Sequence, residues 1–175
     1  MEINSTLIEC YNGKNRGQLL FNLLILDAPT PSNLPIYIKE LQRRGIHHLV
    51  QVCGPTYDKS MVERSGITVH TWAFDDGGAP PSSVVDSWLR LLQAEKTRLE
   101  EGELKTPSTI GVHCVAGLGR APILVALAMV EFNEVDPQDA ILMIRSKRRG
   151  AINQVQMQWL MKYKRRQSNG NCVML

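Results

Sequence analysis

The sequence predicts an α/β domain with a mostly parallel central sheet flanked by helices on both faces. Three observations carry that prediction. Near-continuous apolar runs recur along the chain, as strands buried on both faces require. Helical stretches separate them, and strand–helix alternation implies parallel pairing through crossovers. The 175 residues suit one domain, and 43% hydrophobic with 21% charged side chains is an ordinary globular balance.

Leu19 to Leu26 is an almost unbroken apolar run and predicts a buried strand. The Ala28-Pro29-Thr30-Pro31-Ser32-Asn33 cluster ends it, and an amphipathic helix with Ile36, Ile38 and Leu41 on one side runs to Gly45. His47 to Cys53 predicts a second strand. A short helix near Met61 to Arg64 stops at Gly66, and Ile67 to Phe74 alternates as a third strand. A helix from about Pro81 to Glu101 carries Val84, Val85, Trp88, Leu89, Leu91 and Leu92 on one face, and its Pro80-Pro81-Ser82 start suits a first turn. Thr109 to His113 predicts another strand. Residues 121–134 form a helix apolar nearly all round, hence buried, and two more helices are predicted near 136–149 and 153–165. The chain divides into a domain over 1–166 and a flexible tail over 167–175, with no internal repeat.

The net charge of +3 is unevenly spread. Residues 1–139 carry 12 basic and 17 acidic side chains, whereas residues 140–175 carry eight basic and none acidic. That asymmetry predicts an anionic surface as partner at the C-terminal end. Nucleic acid fits poorly, because no aromatic platform or recognition motif accompanies the basic run. The longest apolar run, Ala121 to Val130, is half a membrane span, and the first residues lack the pattern of a signal peptide, so a cytosolic chain is expected. The cysteines at 10, 53, 114 and 172 form neither a Cys-x-x-Cys motif nor a zinc-ligand spacing, so no metal and no cofactor are expected.

The chemistry concentrates in His113-Cys114-Val115-Ala116-Gly117-Leu118-Gly119-Arg120-Ala121-Pro122. A strand, a glycine-bearing loop and a helix start can turn the N–H groups of Val115 to Arg120 inward as an anion nest, with the helix dipole behind them. Cys114 lies where that field favours a thiolate, the nucleophilic form. The fork of Arg120 can hold two oxygens of a phosphate into the transition state. Together they specify phosphoryl transfer through a phosphocysteine. Rhodanese-like sulfur transfer, which also uses a cysteine in a loop nest, is the weaker alternative. The leaving oxygen needs a proton, and Asp75 or Asp76, in a glycine-rich loop after a strand, can supply it.

The signature loop resembles that of the phosphatase of regenerating liver family, small prenylated tyrosine phosphatases of the dual-specificity class. The resemblance extends to Val52-Cys53, Phe74-Asp75-Asp76-Gly77, Ala79-Pro80-Pro81, Arg148-Arg149-Gly150-Ala151 and the Cys172 box. It implies the cysteine-phosphatase (dual-specificity) type of α/β fold, with Cys114 as nucleophile, Arg120 as phosphate ligand and Asp76 as general acid. It further implies a reversible disulfide between Cys53 and Cys114 that guards the nucleophile from over-oxidation. Cys10 is expected to be a half-buried thiol without a role.

Two departures concern the acid loop: Ala73 stands where the family usually has proline, and Gly77-Gly78 where it has one glycine. The extra glycine is expected to loosen the placement of Asp76. Ala121 fits the family but replaces the Ser or Thr of most cysteine phosphatases, which predicts slow phosphocysteine hydrolysis. Val115 and Leu118 give the loop an apolar rim, favouring phosphoprotein over lipid substrates. The resemblance also implies an alternative role, docking of CBS-domain magnesium transport mediators on the active-site loop, and assembly into a trimer on membranes.

Cys172-Val173-Met174-Leu175 is a C-a-a-X box for prenylation, with Lys162, Lys164, Arg165 and Arg166 just upstream. A terminal leucine favours geranylgeranyl, whereas the resemblance favours farnesyl. One lipid chain needs a second signal, and four basic residues at ~1 kcal/mol each add roughly 4 kcal/mol on an anionic leaflet. The expected location is the cytoplasmic face of plasma membrane and endomembranes. Arg145, Lys147, Arg148 and Arg149 form a second basic cluster, either an extension of that face or a helix end before Gly150.

Overall fold

A computed structural model describes residues 2–166. The predicted tail over 167–175, with the C-a-a-X cysteine Cys172, lies outside the described residues. Five strands, β1 (Ser5–Tyr11), β2 (Leu19–Leu26), β3 (His48–Gln51), β4 (Thr68–Thr71) and β5 (Ser108–His113), form one sheet in the order β1-β2-β5-β3-β4. Every pairing is parallel except β1 with β2, so the sheet is mixed with an antiparallel edge. The six helices are α1 (Leu34–Arg43), α2 (Lys59–Arg64), α3 (Ser82–Glu100), α4 (Arg120–Phe132), α5 (Pro137–Lys147) and α6 (Gln154–Lys162).

The continuous apolar run of β2 is explained by two cores, one on each face of the sheet. Phe21, Leu23 and Ile25 point into the larger core with α3, α4, α5 and α6, while Leu24 and Leu26 point into a smaller one with α1 and α2. All 13 residues of α4 are buried, as its all-round apolar sequence demands. The Trp88 indole N–H donates to the Leu124 carbonyl at 2.8 Å, fixing α3 against α4.

Three expectations need correction. The edge strand β1 has no counterpart in the predicted elements, because Ile8 and Cys10 are its only core-facing side chains. The buried face of α1 is Leu34, Tyr37 and Leu41; Ile36 is exposed and Ile38 only partly covered. Cys10 is fully buried, its thiol donating weakly to the Ala128 carbonyl at 3.7 Å.

The predicted strand ends of β3 and β4 are shorter in the structure. Beyond Thr71 the chain peels from the ladder, the Phe74 N–H still reaching the Val52 carbonyl at 3.4 Å. This departure carries Asp75 and Asp76 over the C-terminal end of β5, where open parallel sheets place their sites.

Candidate active site

The Cys114 loop joins β5 to α4, and its shape is set from outside by its carbonyl groups. His113 Nδ1 lies 3.1 Å from the Cys114 carbonyl, and the Ala28 N–H donates to Val115 at 2.8 Å. Arg148 donates from Nη2 to Ala116 at 3.2 Å and from Nε to Gly117 at 2.6 Å. The N–H of Ile152 donates to Leu118 at 2.7 Å and that of Ile123 to Gly119 at 3.0 Å. Six consecutive carbonyls thus face outward, and a peptide chain so turned presents its N–H groups to the concave side. Gly117 adopts φ +68°, and a Cβ there would lie 2.4 Å from Arg148 Nη2, so only glycine fits.

Arg120 is the first residue of α4 and is nearly buried. Its Nη1 donates to the Phe74 carbonyl at 3.2 Å, which orients the guanidinium. Its Nε is buried without a hydrogen-bond partner, and the nearest acid oxygen, Asp76 Oδ1, lies 3.6 Å away. A buried guanidinium that withholds a donor suits an oxyanion bridging the gap. Asp76 itself is exposed on the loop above.

Cys53 lies in the same neighbourhood, its Sγ 3.9 Å from His113 Nδ1. Burial pushes its thiol pKa up, the Arg120 charge opposes this and the Cys114 charge adds to it. His113 is fully buried, with Nε2 2.7 Å from the Tyr57 hydroxyl. Since Nδ1 faces a carbonyl, it carries the proton, and Nε2 accepts from Tyr57. Burial lowers the His113 pKa to about 4, so the ring is neutral near pH 7.

The comparisons with known proteins agree with this geometry. The protein-tyrosine phosphatase family model matches residues 38–164. Protein tyrosine phosphatase PRL-1 of Leishmania major is 60% identical over 175 residues, spanning the whole of both chains. The chain belongs to the phosphatase of regenerating liver family. Protein tyrosine phosphatase type IVA 2 of Mus musculus is 47% identical over 155 residues, covering 85% of this chain and 89% of the mouse one. A solved protein tyrosine phosphatase structure from Leishmania major, 61% identical, superposes with a TM-score of 0.86 over 93% of this chain and 100% of its own. This chain is accordingly a cysteine-dependent phosphatase of the α/β fold.

In this phosphatase of regenerating liver homologue, Cys114, the loop from Val115 to Gly119, Arg120, Asp76 and Cys53 converge on one place. The basic residues of the C-terminal run do not. Lys162 is the last residue of α6 and the others follow it, and two of them are engaged with the domain: Arg165 Nη2 lies 2.7 Å from Glu134 Oε1, and Arg166 pairs with Asp86. Lys162 and Lys164 are exposed. The second basic cluster ends α5, with Arg145 and Lys147 in the last turn and Arg148 as the C-cap, as the helix-end reading expects; it does not present one basic face. Arg145 donates to the carbonyls of Ala151 and Ile152, Arg148 is buried under the loop, and Lys147 and Arg149 are exposed.

Arg148, Tyr57, Asn153 and Gln156 were not among the candidate residues. Arg148 had a visible signal in the Arg148-Arg149-Gly150-Ala151 match, but its charge alone placed it with the surface cations. Asn153 Nδ2 donates to the Gly77 carbonyl at 2.9 Å and Gln156 Nε2 to that of Gly78 at 3.1 Å. The glycine pair expected to loosen the acid loop is therefore bonded at both carbonyls.

Proposed function

We propose that this phosphatase dephosphorylates phosphoproteins, phosphotyrosine foremost, through a phosphocysteine at Cys114. The observation that carries the reading is the outward fixation of every carbonyl from Cys114 to Gly119, which leaves the loop N–H groups and Arg120 to grip a phosphate. The Cys114 thiolate attacks phosphorus as the P–O bond to the leaving phenol breaks, and Asp76 donates the proton that phenolate takes up. Water then attacks phosphorus as the P–S bond breaks, Asp76 accepts its proton, and phosphate and thiolate separate. Ala121 offers no hydroxyl to help that thiolate leave, so the second step is slow and the intermediate accumulates.

Burst kinetics on an aryl phosphate under reductant, with intact-mass detection of phosphocysteine, test this scheme. A burst followed by slow turnover is expected, with Cys114→Ser giving neither burst nor adduct. No adduct on folded, reduced wild type would defeat it.

Two kinds of control belong to the same proposal. Peroxide converts the Cys114 thiolate to a sulfenic acid, and the Cys53 thiol condenses with it, releasing water and forming the disulfide. Proximity of Cys53 to the Cys114 and Arg120 charges supports that pairing. Prenylation at Cys172, with Lys162 and Lys164 as exposed cations, supports attachment to anionic cytoplasmic membrane faces.

A second reading, docking of a CBS-domain magnesium transport mediator on the loop, is favoured by the exposed apolar rim. Val115 is 55% and Leu118 41% exposed beside the phosphate site. Asp76→Ala separates the readings, since turnover should change while docking survives.

A further inference from the structure

Asp75 to Gly78 form a tight turn, closed by the Gly78 N–H donating to the Asp75 carbonyl at 3.0 Å. Gly77 occupies its third position at φ +75°, where this kind of turn requires glycine or asparagine. Asp76 is the second residue, and its side chain is 88% exposed. A carboxylate so exposed is not held by packing of its own. Beyond the long 3.6 Å approach of its Oδ1 to Arg120 Nε, what fixes its position acts through the backbone of the turn.

Two side chains do so, both from the start of α6. Asn153 is the N-cap, and its Oδ1 accepts from the Gln156 N–H at 2.9 Å. Gln156 Oε1 accepts in return from the Asn153 N–H at 3.1 Å, completing a capping box. Each amide therefore spends its oxygen on the helix and turns its NH2 group to the acid loop. Asn153 Nδ2 takes the Gly77 carbonyl and Gln156 Nε2 takes that of Gly78. Ser or Asp at the cap with Glu at the third position would start the helix as well, yet could not make both donations. Gln156 is also fully buried against the phosphate loop, where a Cβ on Gly119 would come within 3.1 Å of its Nε2. One glutamine thus references the acid loop to the loop that holds Cys114.

We propose that Asn153 and Gln156 are positioning residues that hold Asp76 at the phosphate site by clamping the carbonyls of Gly77 and Gly78. The inference rests on the reading of Asp76 as proton donor. It gives the paired glycines a defined consequence: the added backbone freedom is taken up by two side-chain donors.

The test uses the full chain, reduced, and measures first-turnover phenol release from aryl phosphates whose leaving phenols range from strongly acidic to weakly acidic. Asn153→Ser keeps a capping oxygen, and its hydroxyl, one bond shorter than the amide nitrogen, no longer reaches the Gly77 carbonyl; Asn153→Asp removes the donor outright with an isosteric side chain, should the serine variant fold poorly. Misplacing the acid should slow weakly acidic leaving groups about tenfold while changing strongly acidic ones less than about twofold. Asp76→Ala should steepen the same dependence further, and Asn153→Ser added to it should slow release no more. Uniform slowing of all substrates, or full additivity with Asp76→Ala, overturns the clamp. If Asp76→Ala steepens the dependence and neither Asn153 variant does, the clamp alone fails. If Asp76→Ala leaves it unchanged, the proton-donor reading fails and takes the clamp with it.

Discussion

Arg148 Nε donates to the carbonyl of Gly117 at 2.6 Å across a sequence separation of 31 residues. The same guanidinium reaches Ala116 from Nη2 and the Thr6 hydroxyl from Nη1, so its planar fork spans the underside of the phosphate loop and β1. Replacement by lysine keeps the charge and loses the fork. Arg148→Lys should raise KM for an aryl phosphate about tenfold and cost about 1–3 kcal/mol in urea unfolding. Arg149→Ala, at the exposed neighbour, should change neither. Equal effects at the two positions would contradict the support role.

Gly117 is the point where that fork approaches closest. Gly117→Ala places a methyl group 2.4 Å from Arg148 Nη2 and 2.8 Å from the Leu26 carbonyl at a φ of +68°. The loop must shift, and phosphate affinity should fall by at least about tenfold, read as the competitive inhibition constant of vanadate. Retained vanadate affinity would show that the loop adapts at little cost.

His113 predicts a pH dependence of stability. Its folded pKa is depressed by burial to about 4, below the ordinary value of ~6.5. Between these values the unfolded chain binds the proton and the folded one does not. The contribution is therefore complete above the ordinary value and is lost as pH falls toward the folded one, at up to about 1.4 kcal/mol per pH unit. His70, lowered chiefly by burial and then by the His48 charge, acts with the same sign. Urea midpoints at pH 7.5, 6 and 5 should fall in wild type and fall less in His113→Gln. A flat wild-type profile would refute the assignment.

Cys10 should be chemically silent. Burial raises its thiol pKa to about 12, and it is closed off under α4. Native protein treated with iodoacetamide should remain unmodified at Cys10, becoming modified only after unfolding, as peptide mass mapping would show. Labelling of Cys10 in folded protein would indicate an opening of β1.

Much of the site is legible along the chain because its central parts are contiguous. Cys114, the nest and Arg120 occupy seven consecutive positions, and their strand, loop and helix are all signalled locally. Asp76 stands out for a similar reason, as an acid in a glycine loop after a strand. The residues that shape these parts are legible only through tertiary contact. Arg148 and Arg145 have the same charge as Lys147 and Arg149, and only the path of the backbone through the end of α5 and past it separates those facing inward from those in water. Asn153 and Gln156 look like an ordinary helix start, which they also are. In α1 the isoleucines suggested the wrong face, because the phenol of Tyr37 is buried with its hydroxyl bonded to Asp27.

The outward bonds of the phosphate loop come from five different places: β5 through His113, the β2–α1 connection through Ala28, the end of α5 through Arg148, the α5–α6 connection through Ile152, and α4 itself through Ile123. Loosening any one layer releases a carbonyl, and a released peptide unit can rotate its N–H away from the ligand. Oxyanion affinity is therefore a gauge of tertiary integrity in this molecule. Substitutions in distant layers should register as weakened vanadate binding even where secondary structure still looks intact.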